Sequence, residues 1–184
     1  MSDLRVLVTY SSVHGSTAEI ARAIALTLGR AGIDAEAIPV AQVQDVRGFD
    51  AVVVGSAVYG GQWTNEAAGF LERFALELFH TDVWLFQSGP LGHSAQAIVR
   101  ALPLNVSLFA EYLRVKGTAA FGGRLNGLSG GPVARFLSRA GYDGDYRDFN
   151  EIRLWAEEIA RRTAMTVVTE RGESFDLARA AIRR

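Results

Sequence analysis

The chain has 184 residues and a formal net charge of −1, long enough for one domain with a sizeable core and, at 49% apolar residues, too hydrophobic to be disordered. The charge excludes a general nucleic-acid binder, which needs a basic face. The absence of cysteine excludes disulfides, thiolate zinc sites and thiol catalysis. The opening MSDLRVLVTY runs straight into a strand without a signal pattern, and no apolar run approaches the roughly 20 residues of a membrane span. The expectation is a cytoplasmic protein with no stable membrane span and no nucleic-acid partner.

In chain order, residues 4 to 10 (LRVLVTY) read as a strand. Ile20, Ile24 and Leu28 then recur at helical spacing, and Gly32 offers a left-handed exit. Residues 34 to 39 (DAEAIP) alternate like an edge strand that Pro39 ends. Residues 50 to 56 (DAVVVGS) form a continuous apolar run, the mark of a strand covered on both faces. Thr64 can cap a helix with Ala67, Phe70, Leu71, Phe74 and Leu78 inward. Residues 82 to 88 (DVWLFQS) are again strand. A weaker helical region covers about 93 to 112 and is broken by Pro103. Residues 115 to 121 (VKGTAAF) are a fifth strand. Asp148 with Glu151 resembles a capping box, opening a helix with Ile152, Trp155 and Ile159 inward.

Five strands separated by helices predict a doubly wound α/β fold with a five-stranded parallel sheet, order 2-1-3-4-5, and helices on both faces. Residues 1 to 163 make the domain, with an insertion at about 122 to 147, and residues 164 to 184 are an appendage. Such folds bind ligands beyond the carboxyl ends of the strands, at the switch point between strands 1 and 3. The loops that matter are therefore 11 to 17, 56 to 63 and 88 to 93.

The first loop, Ser11-Ser12-Val13-His14-Gly15-Ser16-Thr17, joins a strand to a helix through hydroxyls and one glycine. Free amides and the positive end of the helix dipole stabilise a phosphate at such a place. Ser12, Ser16 and Thr17 can add hydrogen bonds without adding charge. No lysine precedes Ser16 or Thr17, so this is not a Walker A loop, nor is it a G-x-G-x-x-G turn. A phosphomonoester carried by a tightly held cofactor suits it better than a nucleotide being hydrolysed. The plainer alternative is a turn in which Ser16 merely caps the helix.

The stretch YSSVHGSTAEIA resembles the FMN-phosphate loop of flavodoxins, a Ser/Thr-rich turn ending in Gly-x-Thr, with His14 standing where a hydroxyl is usual. The resemblance implies FMN as cofactor and a flavodoxin-like fold. It also assigns the other two loops. In the segment Ala57-Val58-Tyr59-Gly60-Gly61 an aromatic followed by glycine matches the ring-stacking position. Tyr59 and Trp63 can supply an aromatic face, and Gly60 and Gly61 allow a peptide close to the flavin N5. A plain glycine-rich turn with two interface aromatics is the alternative. In FQSGPLGHS, Ser88, Gly89, Leu91 and Gly92 are candidates to hold the pyrimidine end, mostly by backbone. Many flavodoxins carry an acidic residue and a second aromatic there; this chain has neither, which implies weaker repulsion of the reduced flavin.

The later segments AAFGGRL and GYDGDYRDFNEIRLWAEEIARRT are similar to flavodoxin-type, menaquinone-dependent protoporphyrinogen dehydrogenases, which carry a long insertion before the last helix. That likeness implies an FMN-dependent, quinone-linked oxidoreductase, whereas the flavodoxin likeness alone implies an electron-transfer protein. Seven glycines between 122 and 147 suggest an adaptable flap. Arg135, Arg139 and Arg147 could meet an anionic group there, and Phe136, Tyr142 and Tyr146 a planar one. A helix from about Pro132 to Ala140 packed on the sheet edge is the alternative. No catalytic residue and no metal ligand stands out. The redox partner, whether quinone, small molecule or protein, is unassigned, and a homodimer is left open.

Three rivals share parts of this pattern. Gly127-Leu128-Ser129-Gly130-Gly131 fits G-x-S-x-G, but a nucleophile elbow needs a preceding strand and a later histidine, and all three histidines precede Ser129. A phosphoacceptor domain needs acidic residues at the ends of strands 1 and 3, where Tyr10 and Ser56 stand. A flavodoxin-like scaffold that binds no cofactor is the remaining alternative.

Overall fold

The continuous apolar runs make a central parallel sheet, and the helical patterns cover its two faces. A computed structural model describes residues 4–89, 101–125 and 144–182. Its elements are β1 (Arg5–Ser11), α1 (Ser16–Arg30), β2 (Asp34–Pro39), β3 (Ala51–Tyr59), β4 (Gln62–Trp63), α2 (Asn65–Arg73), α3 (Ala75–Leu78), β5 (Asp82–Gly89), α4 (Leu104–Tyr112), β6 (Gly117–Gly122), β7 (Arg124–Leu125), β8 (Gly144–Asp145) and α5 (Phe149–Ile182). The parallel order is β2-β1-β3-β5-β6, with β4 added antiparallel to β3. Allowing for that short extra strand, this is the expected 2-1-3-4-5 order.

One face of the sheet buries Ile20, Ala21, Ile24 and Leu28 of α1 with Ile152, Ala156 and Ile159 of α5. The other buries Ala67, Phe70 and Leu71 of α2, Leu78 of α3 and Val106 of α4. Alternate β3 residues serve the two sides: Val53 belongs to the first cluster, Val52 and Val54 to the second. That is the two-sided burial a continuous apolar strand requires. Where β3 and β5 pair Gly55 with Phe86, a Cβ on Gly55 would overlap the Phe86 ring. Glycine there lets the ring lie against the neighbouring backbone. Gly117 stands in the same relation to the Trp84 ring.

The helix ends follow local chemistry. Gly32 has φ +83°. Ile33 N–H donates to Leu28 O and Gly32 N–H to Gly29 O, a Schellman closure of α1. Thr64 Oγ1 accepts from Ala67 N–H and caps α2. Asp148 Oδ1 accepts from the amides of Asn150 and Glu151 at the start of α5. Pro103 directly precedes α4, so within the described residues it starts a helix; the 93 to 100 part of the expected helix lies outside them. Beyond Thr163 the chain continues as α5 to Ile182 without a break. Among the described residues no helix is long and apolar enough to cross a membrane.

Candidate functional site

The register brings the three loops to one end of the sheet. Ser11 pairs with Ser56, Ala57 with Ser88, and Gly89 with Gly122. The turn after β1 is shaped by Gly15, whose φ of +83° makes it the N-cap of α1, with no side-chain cap bond. Ser16 is therefore the first residue of the helix and not its cap, contrary to the plainer reading of the sequence. The first intrahelical bond runs from Glu19 N–H to Gly15 O, so the amides of Ser16, Thr17 and Ala18 lie ahead of the helical ladder. Among the described residues Ser12 Oγ is buried and has no hydrogen-bond partner, a condition it shares with Trp84 Nε1 and Thr163 Oγ1. A buried hydroxyl left unpaired is uncommon and marks a place where a polar group is wanted.

The other hydroxyls of this turn are engaged. Ser11 Oγ donates to Glu66 Oε2 at 3.3 Å. Thr17 is buried, and its Oγ1 lies 2.8 Å from Ser88 Oγ, joining the first loop to the third. Ser16 Oγ accepts from Arg124 N–H at 3.0 Å. Val13 and His14 are exposed, with the His14 ring edge-on to Tyr59 at 6.1 Å between centroids.

The second loop is a tight hairpin. Tyr59 pairs with Gln62 and Val58 with Trp63. Gly60 and Gly61 both have positive φ, +56° and +74°, as a two-residue turn matching the strand twist requires. Ser56 Oγ accepts from Thr64 N–H, and the Asn105 side chain bonds both the N–H and the carbonyl of Trp63. The two aromatics part company here. Tyr59 stays 47% exposed, and its partial burial raises the phenol pKa, keeping it neutral. Trp63 is only 2% exposed, packs in the core and donates from Nε1 to Gln87 Oε1 at 3.0 Å. The expectation that Trp63 offers a face to a ligand is thus corrected: hairpin pairing turns it inward. Ala57 is buried and Val58 half-buried beside it.

Of the third loop, Ser88 and Gly89 close β5, and both are buried; Leu91 and Gly92 lie outside the described residues. So do residues 126–143 of the insertion, including Arg135, Phe136, Arg139, Tyr142 and the G-x-S-x-G stretch. The base of the insertion is described. Arg147 is not free to meet an anionic ligand: its guanidinium binds both carboxylate oxygens of Asp145 and donates to Glu19 Oε2 at 2.6 Å. Sequence reasoning missed Glu19, Glu66 and Arg124 near the first turn. Glu19 and Arg147 are 128 positions apart, and no local pattern signals such a pair.

This arrangement defines a doubly wound α/β protein with its switch point between β1 and β3, the place where such folds bind ligands. A flavodoxin-domain profile matches residues 7–137; the chain belongs to the flavodoxin family, and FMN is that family's cofactor. No curated protein is significantly similar in sequence. Among solved structures, a flavodoxin from the domain Archaea superposes with a TM-score of 0.63 at 15% identity, over 88% of this chain and 99% of that one. The rubredoxin oxygen:oxidoreductase of Desulfovibrio gigas gives 0.62 at 15% identity, over 89% of this chain and 37% of its own. A flavodoxin of Streptococcus pneumoniae TIGR4 gives 0.56 at 18% identity, over 86% and 99%. At these identities the likeness is one of fold.

Proposed function

We propose that this chain binds one FMN non-covalently and serves in electron transfer. The observation that carries the reading is Ser12 Oγ, buried and unpaired in a lysine-free turn at the N-terminus of α1. A phosphomonoester supplies the acceptors which that hydroxyl and the first-turn amides lack. In this reading Ser12, Ser16 and the amides of Val13 to Thr17 hold the phosphate. Thr17 braces the turn against Ser88. Tyr59 packs on or beside the ring, with Ala57, Val58, Gly60 and Gly61 along its edge. Ser88 and Gly89 face the pyrimidine end, with Leu91 and Gly92 completing that loop. Bound FMN supplies one- and two-electron redox chemistry; the chain supplies binding, orientation and exclusion of water.

A titration of the cofactor-free protein with FMN and with riboflavin tests this. Charge-assisted hydrogen bonds are worth about 1.5–3 kcal/mol each, so FMN is expected to bind better by several of these. Equal affinity for the two flavins overturns the phosphate assignment, and binding of neither leaves the cofactor-free scaffold. The finer role, a quinone-linked oxidoreductase resembling protoporphyrinogen dehydrogenases, rests on the AAFGGRL strand end, the insertion and the acidic-aromatic start of the last helix. Replacing residues 126–143 by a short Gly-Ser turn separates the two roles. An oxidoreductase loses quinone reduction while retaining FMN; an electron shuttle keeps both.

A further inference from the structure

The two short strands β7 and β8 are built onto the first turn of α1. Gly123 N–H donates to Gly89 O at 2.5 Å, and Tyr146 N–H donates to Gly123 O at 3.0 Å. A Cβ on Gly123 would lie 2.8 Å from Gly89 O, so this approach needs glycine. The next amide, of Arg124, donates to Ser16 Oγ at 3.0 Å. Two residues beyond the opposite strand, β8, Arg147 has a side chain only 4% exposed. It grips Asp145 through two parallel bonds of 2.7 and 2.6 Å and reaches Glu19 Oε2 at 2.6 Å. Glu19 stands in the first turn of α1, and its other oxygen lies 3.7 Å from Arg124. The Arg147 guanidinium also lies over the Phe149 ring at 5.0 Å.

A hydroxyl has one proton to donate and two lone pairs. With one lone pair of Ser16 Oγ taken by the Arg124 amide, its proton is left to point elsewhere. We propose that Arg147 is a positioning residue for phosphate recognition: through Glu19 it holds β7 and β8 on α1, so that the Arg124 amide fixes the Ser16 hydroxyl as a donor to the cofactor's phosphate. The proposal rests on the FMN reading above. Arg147 acts at a distance from the phosphate: its side chain is only 4% exposed and its charge is already met by the carboxylates of Asp145 and Glu19. Its planar fork, rather than its charge alone, makes the clamp.

The test uses the full chain. Arg147→Gln and Glu19→Gln are made singly and together with Ser16→Ala, and each protein is titrated with FMN and with riboflavin. Riboflavin lacks the phosphate, so the ratio of the two affinities isolates phosphate recognition from general loosening. Arg147→Gln is expected to weaken FMN about tenfold, the scale of losing one charge-assisted bond, with riboflavin changed less than about threefold. Glu19→Gln moves the ratio the same way. In the Ser16→Ala background neither substitution moves it further. The proposal is overturned if both variants keep the parent's ratio, if they weaken both flavins equally, or if their effect on the ratio persists without the Ser16 hydroxyl. Should Arg147→Gln fail to fold by circular dichroism, Glu19→Gln decides alone, since it leaves the Arg147–Asp145 pair intact. A parent protein that binds neither flavin overturns the FMN reading, and this proposal with it.

Discussion

The turns at the carboxyl ends of β1 and β3 lie side by side and treat their polar groups in opposite ways. After β3 the demands are met internally. Ser56, Thr64 and Asn105 bond the hairpin and helix backbone, Trp63 fills the core, and two glycines take positive φ to close the turn. After β1 they are met only in part: Ser11, Ser16 and Thr17 are bonded, but among the described residues Ser12 Oγ has no partner, and the first amides of α1 have no side-chain cap. A turn that closes its own hydrogen bonds can be explained by folding alone. One that leaves a hydroxyl buried and unpaired loses stability, by about 1–3 kcal/mol per group. The contrast separates a turn that folding alone explains from one that it does not.

The largest test of that contrast is on the hairpin. Trp63→Ala removes a buried ring and its bond to Gln87, and is expected to lower the unfolding free energy by about 3–5 kcal/mol in urea titrations. Tyr59→Ala, four residues away and half exposed, should change stability by no more than about 0.5 kcal/mol while weakening FMN and altering its absorption. Similar stability losses in both would erase the division between the two aromatics. Next comes Ser12→Ala. It should weaken FMN by about 1.5–3 kcal/mol in a fluorescence titration, yet leave the cofactor-free protein at least as stable, because it removes an unpaired group. A stability loss without FMN would show that Ser12 is structural. Gly60→Ala places a Cβ at φ +56° and should cost about 1–2 kcal/mol, read from the same unfolding curves.

The smallest effect is in pH. The Arg147 guanidinium, bonded to both carboxylate oxygens, holds Asp145 below the usual carboxylate pKa. A lowered folded-state pKa means stability that is complete above the unfolded value of about 3.9 and is lost as pH falls through the lower folded value. Asp145→Asn should flatten that part of the acid-unfolding profile. An unchanged profile would mean that the clamp on α1 carries no linkage.

Much of the fold could be read from the chain because each element advertises itself twice, by period and by ending. Ile20, Ile24 and Leu28 mark α1 and Gly32 its exit; the run at 50 to 56 marks a strand, and its Val52, Val53 and Val54 are buried on both faces of the sheet. The hairpin was less legible, because β4 is only two residues long. Gly60-Gly61 is a hairpin signal, but beside Tyr59 it reads equally well as a ligand turn. Trp63 could be placed inside only once its pairing with Val58 was known. Arg147 was hardest of all. An exposed-looking arginine in a glycine-rich stretch becomes buried through Glu19, a residue from the other end of the domain.

Gly55 and Phe86 occupy one space between them, as do Gly117 and Trp84. Neither member of such a pair can drift alone: a side chain gained at 55 must be matched by atoms lost at 86. Descendants of this chain are therefore expected to change these positions jointly or to keep them, and a single exchange at either glycine would be purged before its partner could follow. Inheritance in the centre of the sheet thus runs in couples, while exposed positions on the outer faces of α4 and α5, such as Leu108 and Val168, are free to vary one residue at a time.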